Sequence, residues 1–234
     1  MTQERWSDAA EEANTVITSE AFALVKNYID EFPAPDPARP IVNSTEDIFA
    51  AQITDQQGFN ALNEVYATSD FSGRGEITIN QSFIAKYEEI DDRLKVFTIS
   101  YDDDGEFEEA FCDKYNNQYG NVKTIRLAEM YLIRAEANFR NGSQLGATPL
   151  DDVNILRERA NATLLATVDL NAILNERVLE LAFEGQSLPD LKRTKGSIGG
   201  GIQWNSSKLV FPIPQREMDA NPALKGQQNE GYGN

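Results

Sequence analysis

The chain of 234 residues is long enough for one large domain or two small ones, and its 41% hydrophobic content suits a sizeable core. Lysine and arginine total 21 against 38 acidic residues, a formal net charge of −17, which argues against nucleic acid and against electrostatic attachment to anionic lipid. Histidine is absent, which removes Ser-His-Asp and Cys-His catalysis and His-ligated zinc, and the single cysteine, Cys112, allows no internal disulfide.

Residues 3–18 read as a first helix, with Trp6, Ala9, Ala10, Ala13, Val16 and Ile17 on one stripe. Met1 leads straight into this polar, charged helix, which is not a signal-peptide pattern, and no run approaches the ~20 apolar residues that span a bilayer. The stripe calls for a partner, either later in the chain or in a segment before it. Phe22–Tyr28 follows as a short apolar stretch, and Phe32–Pro40, with four prolines in nine residues, is a loop or semi-rigid spacer. Ile48–Ile53 fits a short buried strand or a helical turn. Phe59, Leu62, Val65 and Tyr66 fit a short helix. Thr68–Gly75 is a polar, glycine-bearing loop carrying Phe71 and Arg74.

Leu94–Tyr101 alternates, and with Glu106–Lys114 across Asp102–Gly105 it predicts a β-hairpin. The aspartates miss the register of a calcium-binding loop, so a turn is favoured and no metal or cofactor is expected. Asn116–Asn121 is a loop. Thr124–Gly142 is the longest clean helical pattern, with Ile125, Ala128, Leu132, Ala135 and Phe139 on one face, Thr124 as cap and Asn141-Gly142 as stop. Glu136 and Arg140 form a surface pair on it, and Ala128, Ala135 and Ala137 let a neighbour approach. Thr148-Pro149-Leu150-Asp151 then reads as a capping box opening a second helix to about Ala160. The two form an antiparallel pair slightly longer than the ~34-residue tetratricopeptide repeat, and spacing alone equally allows a plain α-hairpin.

A further helix, Asp169–Glu184, has Leu170, Ile173, Leu174, Val178 and Leu181 as its buried face and Gly185 as its end. Its Arg177, Glu180 and Glu184 share a side. Glycosidase carboxylates face each other across a cleft at ~5–10 Å; acids on one helix favour ion pairs with arginines of a neighbour, such as Arg157 or Arg193. Asp190–Arg193 reads as a polar turn and Gly196–Gly201 as a flexible loop ahead of Trp204. Leu209–Pro214 is extended, Gln215–Met218 is a helical turn stopped by Asn221-Pro222, and Gly226–Asn234 is a polar tail.

Several of these segments, in fixed order, carry a resemblance. They are IRLAEMYLIRAEANFRNG (125–142), LDDVNILRERAN (150–161), NERVLELAFEGQSLPDLKR (175–193), LVFPIP (209–214) with Glu217, and the closing Asn221-Pro222 through Tyr232. Upstream, AAEEANTVITSEAFAL (9–24), STEDIFA (44–50) and DDRL (91–94) fit as well. Together they resemble the C-terminal part of the SusD/RagB family. The resemblance implies a mostly α fold, an α-α superhelix of tetratricopeptide-like helix pairs with an irregular loop-rich insert and a small β-hairpin. Residues 1–234 would form one partial domain: helical over 1–30, loop-rich over 31–123, helical over 124–193 and extended over 194–234. It also implies that the lipid-bearing cysteine and the first helix pairs lie outside this sequence, since Cys112 sits mid-chain. After FEG, Ser187-Leu188-Pro189 replaces a bulkier family pattern, which leaves that turn open.

The function implied is non-catalytic binding of glycans or oligosaccharides on the outward face of the outer membrane of Bacteroidetes-type bacteria. Uptake would follow through a SusC-like TonB-dependent transporter, as part of polysaccharide utilisation. Arg126, Glu129, Arg134, Glu136, Glu176, Arg177, Glu180 and Glu184 then hold helices together. Sugar rings stack on aromatic faces and their hydroxyls need amides, carboxylates or guanidinium groups. The candidate ligand-binding residues are therefore Tyr66, Phe71 with Arg74, and Trp204 beside Asn205; the bland alternative for each aromatic is a ring tucked into the core. A helical-repeat scaffold that binds protein without sugar is the alternative function.

Overall fold

A computed structural model of the chain describes residues 1–36, 42–54, 56, 58–199 and 201–232, in two compact units, Met1–Glu184 and Gly185–Asn234. Parts of the proline-rich spacer, the glycine loop and the tail therefore lie outside the described residues. In the first unit, helix α1 (Trp6–Thr18) buries Ala10 and Ala13 from its predicted stripe. A 3-10 turn, Tyr28–Glu31, leads on to strand β1 (Asp47–Ala51). The short helices α2 (Ala61–Tyr66) and α3 (Gln81–Ile84) each start on an asparagine whose side chain accepts the amide two residues on, Asn60 from Leu62 and Asn80 from Ser82. Strands β2 (Phe97–Tyr101) and β3 (Phe107–Cys112) form the expected antiparallel hairpin, although Leu94–Val96 belong to a 3-10 turn before it. The Asp102 carboxylate accepts the amides of Asp104 at 3.0 Å and Glu106 at 2.8 Å, so it serves the turn.

The central helix begins later than its pattern suggests. Val122–Arg126 is strand β4, paired antiparallel with β1 in the register Asp47↔Arg126 and Ala51↔Val122, and helix α4 runs Leu127–Asn141. Thr124 is thus no cap and Ile125 is exposed on the strand. The backbone there is claimed by β1, and Leu127 N–H itself donates to the Glu46 carbonyl at 2.9 Å. From Leu127 onward the pattern holds. Ala128, Leu132, Ala135 and Ala137 are fully buried, and α1 packs against α4, supplying the partner its stripe called for. Phe139 stays exposed, whereas Glu136 is fully buried and bonded to Arg140 at 2.7 Å. Gly142 closes the helix in the left-handed conformation, φ 64°.

Helix α5 (Pro149–Arg159) packs back on α4, and the Thr148–Asp151 capping box is present in both directions. Between the helices the buried Asn138 donates to the carbonyls of Leu145 and Ala147, both at 3.1 Å, and accepts from Leu145 N–H. Gly146 sits at φ 76°, where a Cβ would lie 2.0 Å from Asn14 Oδ1, so no other residue fits. Thr148→Ala removes the box, and urea unfolding should show a loss of about 1 kcal/mol with the helices retained.

Helix α6 (Leu170–Glu180) packs on α4, starting where the Asp169 carboxylate accepts the Ala172 amide at 2.7 Å. It ends four residues short of the expected Glu184, and Val178 faces solvent while Leu179 is buried. The reason lies at its C-terminus, whose free carbonyls are taken by other side chains. Tyr87 donates to Leu179 O at 3.0 Å, Tyr28 and Arg126 to Glu180 O at 3.1 Å, and Tyr115 to Phe183 O at 2.7 Å. Phe183 adopts φ 64°, turning the chain under the aromatic cluster of Phe83, Tyr87, Phe97 and Tyr115.

The middle of this unit is ionic. Arg126 reaches Glu46, Glu180 (3.2 Å) and Glu184 (2.7 Å); Lys114 holds Glu184 at 2.6 Å; Arg159 bridges Glu46 and Glu180. Arg93 joins Asp91 at 2.8 Å to Glu176, which also pairs with Arg157 at 2.9 Å. Lys123 completes the set with Asp47 at 2.8 Å and Glu31 at 3.2 Å. Leaving aside the part-exposed Glu88 on Arg157, six cations here face seven carboxylates. The expected partners are thereby corrected: Glu180 and Glu184 take Arg126, Arg159, Arg93 and Lys114, while Arg157 takes Glu176. The helix ends too early for Glu184 to stay on the α6 face.

In the second unit, Ser187–Thr194 is helix α7, not a polar turn, and Arg193 pairs with Asp190 one turn back at 2.7 Å. The expected glycine loop includes a small antiparallel ribbon, β5 (Ser197–Ile198) with β6 (Ile202–Gln203). Leu209 ends a 3-10 turn, and helix α8 (Gln215–Ala220) follows the extended proline segment. The Gln228 and Asn229 amides donate to Ile213 O at 3.0 Å and Phe211 O at 2.6 Å, tying the tail to that segment.

Candidate functional site

Tyr66, Phe71 and Arg74 lie on one continuous piece of the first unit, the end of α2 and the turn after it. The piece is braced from inside by Asn63, fully buried, whose amide donates to Phe71 O at 3.1 Å and Tyr115 O at 2.8 Å. Ser72 takes φ 66°, and a Cβ on Gly73 would stand 2.0 Å from Ala67 O, so the turn depends on that glycine. The loop is therefore held in one shape, the condition for a binding surface that loses little entropy on contact.

The three side chains differ in exposure. Tyr66 is half-buried, its ring 5.3 Å from Tyr115 and 5.9 Å from Phe183, and burial pushes its phenol up. Phe71 is half-buried at the surface. Arg74 is exposed and pairs with Glu64 at 3.3 Å and Glu76 at 3.1 Å. Trp204 and Asn205, both exposed, belong to the second unit, just after β6, where Trp204 N–H donates to Gly196 O at 3.0 Å.

A feature not foreseen from the sequence is a cavity of about 290 Å³ in the first unit. It is lined by Asp30, Phe32–Ala34, Asp36 and Val42 and by residues between Lys114 and Lys123. Phe32 forms part of it, with the Lys114 ammonium 4.5 Å from its ring centre. Asn121 is saturated: it accepts from Ile53 N–H at 3.0 Å and donates to Asn43 and Gln52. Asn117 accepts the Tyr119 amide at 3.1 Å, which turns Tyr119 outward, 41% exposed, on the 116–121 loop. The rule that selected Phe71 and Trp204, an aromatic in a polar loop, applies to Tyr119 in NNQYGN as well.

Glu180 and Glu184, weighed as a catalytic pair, are locked in the ionic interior. Burial pushes the Glu180 carboxyl up, but Arg159, Arg126 and Arg93 outweigh it and hold it at about 2. Glu184 is likewise held low, against burial, by Arg126 and Lys114. A general acid needs a raised value, so these carboxylates are structural. Among the described residues no cluster of His, Cys, Asp or Glu is arranged to hold a metal ion, and no helix is long and apolar enough to cross a membrane.

Comparison with known proteins finds relatives for part of the sequence and for the fold. Residues 106–206 match the SusD family. The starch-binding protein SusD of Bacteroides thetaiotaomicron is 34% identical over 125 residues, 48% of this chain and 22% of that protein. Among solved structures, surface glycan-binding protein A from Bacteroides thetaiotaomicron in complex with laminarihexaose superposes with a TM-score of 0.72 at 24% identity, over 96% of this chain and 59% of that one. A SusD superfamily protein from Parabacteroides distasonis gives 0.75 at 21%, over 97% and 57%. The chain thus spans about a fifth of the starch-binding relative and less than three-fifths of these solved chains. The structural likeness speaks to the fold, tetratricopeptide-like helix pairs with small sheets, and the family match runs from Glu106, just before β3, to Ser206 in the second unit. Over residues 106–206, then, the chain is similar to the SusD family, and its fold is the one those solved structures share.

Proposed function

We propose that the chain supplies the glycan-holding part of a SusD-like surface protein. It would sit on the outward face of a Bacteroidetes-type outer membrane and pass oligosaccharides, uncut, to a SusC-like TonB-dependent transporter. The observation that carries this reading is the braced loop from Tyr66 to Arg74, which keeps Phe71 half-buried at the surface and Arg74 exposed on one short, internally tied piece. A sugar ring would lay its C–H face on Phe71, with the half-buried Tyr66 behind it on the same piece, while Arg74 takes hydroxyls. Trp204 and Asn205 offer a similar aromatic and amide pair in the second unit. The starch and laminarihexaose named for relatives support neutral glucans as the ligand class, which suits a chain of net charge −17.

Isothermal calorimetry against a panel of starch-type and laminarin-type oligosaccharides tests this. Phe71→Ala and Trp204→Ala should each weaken binding about 5–10-fold, near 1 kcal/mol per lost stacking contact. Absence of binding to every glycan in the panel would overturn it. The protein-interaction scaffold draws on one observation, Phe211 standing 87% exposed in the second unit; a membrane pull-down without sugar that recovers a soluble partner and no transporter would favour it.

A further inference from the structure

Beneath the cavity of the first unit lies a pair of buried acids that glycan binding does not use. Glu31 sits between the wall residues Asp30 and Phe32 and has no exposed surface. The Ser44 hydroxyl donates to its Oε2, which ties that wall to the approach of β1. Among the lining residues, the Lys123 ammonium stands 3.2 Å from Glu31 Oε1 and 2.8 Å from Asp47 Oδ2. Glu31 Oε1 and Asp47 Oδ1 are both buried, and neither accepts a hydrogen bond among the described residues. A buried oxygen without a donor, Asp47 Oδ1, beside a second buried acid that must share the same lysine is costly. The ionic interior, moreover, holds one carboxylate more than it holds cations.

We propose that the buried Glu31 carboxyl carries a proton in the folded chain, and that this proton secures the Tyr28–Glu31 turn against the Ser44–Asp47 approach to β1. With the proton in place, the buried carboxylates match the cations and Glu31 gains a donor. When it passes to water, Glu31, Asp47 and Glu46 repel one another in an interior where Lys123 and Arg126 are already engaged. The Tyr28–Glu31 turn then loosens from the Ser44–Asp47 approach. The charges facing Glu31 are Glu46, just before β1, Asp47 at its start, and Lys123 and Arg126 from β4. Burial first, and then Glu46, push Glu31 up to about 7 against the pull of Arg126 and Lys123.

The native chain therefore keeps a proton that the unfolded chain releases near 4.5. The stability this gives is full below the unfolded value and is lost as pH rises to about 7. The chain has no histidine, and burial pushes Cys112 up to about 12, so the two side-chain types that ordinarily titrate near neutrality do not answer in this window.

Carboxyl ¹³C NMR of the labelled protein from pH 5 to 9 is the test, with amide exchange followed in 28–36 and 42–47. One glutamate carboxyl should titrate near 7 and disappear in Glu31→Gln. Exchange in both stretches, corrected for its intrinsic pH dependence, should rise above that midpoint in the wild type and stay level in the variant. The wild-type folding constant should fall about 10²-fold between pH 5 and 8, and the variant's should not. Carboxyls that all titrate below pH 6, or a variant with the wild-type pH slope, would overturn the proposal. If Glu31→Gln does not fold, the wild-type titration and exchange decide alone.

Discussion

Arg126→Met is expected to destabilise the protein by at least about 3–5 kcal/mol, enough to leave the first unit largely unfolded at 25 °C. Arg126 is 1% exposed and is the meeting point of three carboxylates, Glu46, Glu180 and Glu184, as well as the Glu180 carbonyl. Methionine fills much of the same space, so the volume lost is small and the charge lost is whole. Glu46 and Glu180 keep Arg159, and Glu184 keeps Lys114, but seven buried acids then face five cations. Removing one member of a buried ion network leaves charge that neither water nor a partner compensates, which is why the cost exceeds the net worth of the pairs themselves. Urea unfolding at pH 7, followed by far-ultraviolet circular dichroism, measures it. A loss under about 1 kcal/mol would mean that water reaches this site and that the network behaves as a surface one.

Leu132→Ala is the largest expected effect among apolar side chains. Leu132 is fully buried at the centre of α4, packed with Ala128, Leu156 and Leu181. It joins α4 to α5 and to the chain leaving α6, so a cavity there weakens both packings. Core truncations of this kind cost roughly 2–5 kcal/mol, the upper end applying where neighbours cannot move in. The neighbours here are buried and sit on or next to helices held by the Thr148–Asp151 box and the Asp169 cap, so a value above about 3 kcal/mol is expected, read as a lower urea midpoint with an unchanged slope. A change in slope would instead mean that α1 or α6 detaches separately.

What was legible in the sequence was mostly local. The Thr148–Asp151 box, the Gly142 stop and the Asp102–Gly105 turn each depend on residues within one turn of each other, and each stands as its spacing implies. The start of α4 and the end of α6 were misread because distant residues decide them. Thr124 and Ile125 continue a helical period, yet β1, more than seventy residues earlier, claims their backbone. Leu181 likewise continues the α6 period, but Tyr28 and Tyr115 take the carbonyls that would mark the helix end. That the arginines and glutamates hold helices together was legible; which acid meets which base was not, since a charge at a helical position does not say what faces it. At the candidate site, loop polarity located Phe71 and Arg74 but did not tell the surface ring of Phe71 from the more deeply held Tyr66. The cavity over Glu31 has no sequence signal, because its lining residues meet only in the folded chain.

The order of the ionic residues along the chain sets a limit on its synthesis. Arg93, Lys114, Arg126, Arg157 and Arg159 all leave the ribosome before the acids at 176, 180 and 184 that each of them meets, across separations such as 83, 70 and 54 residues. Until α6 emerges, those cations are best left in water, and only the apolar faces of α1, α4 and α5 have reason to associate. The last segment of the first unit to be made is thus the one that dries its interior, and a nascent chain stalled before Glu176 should remain loose and open to proteases.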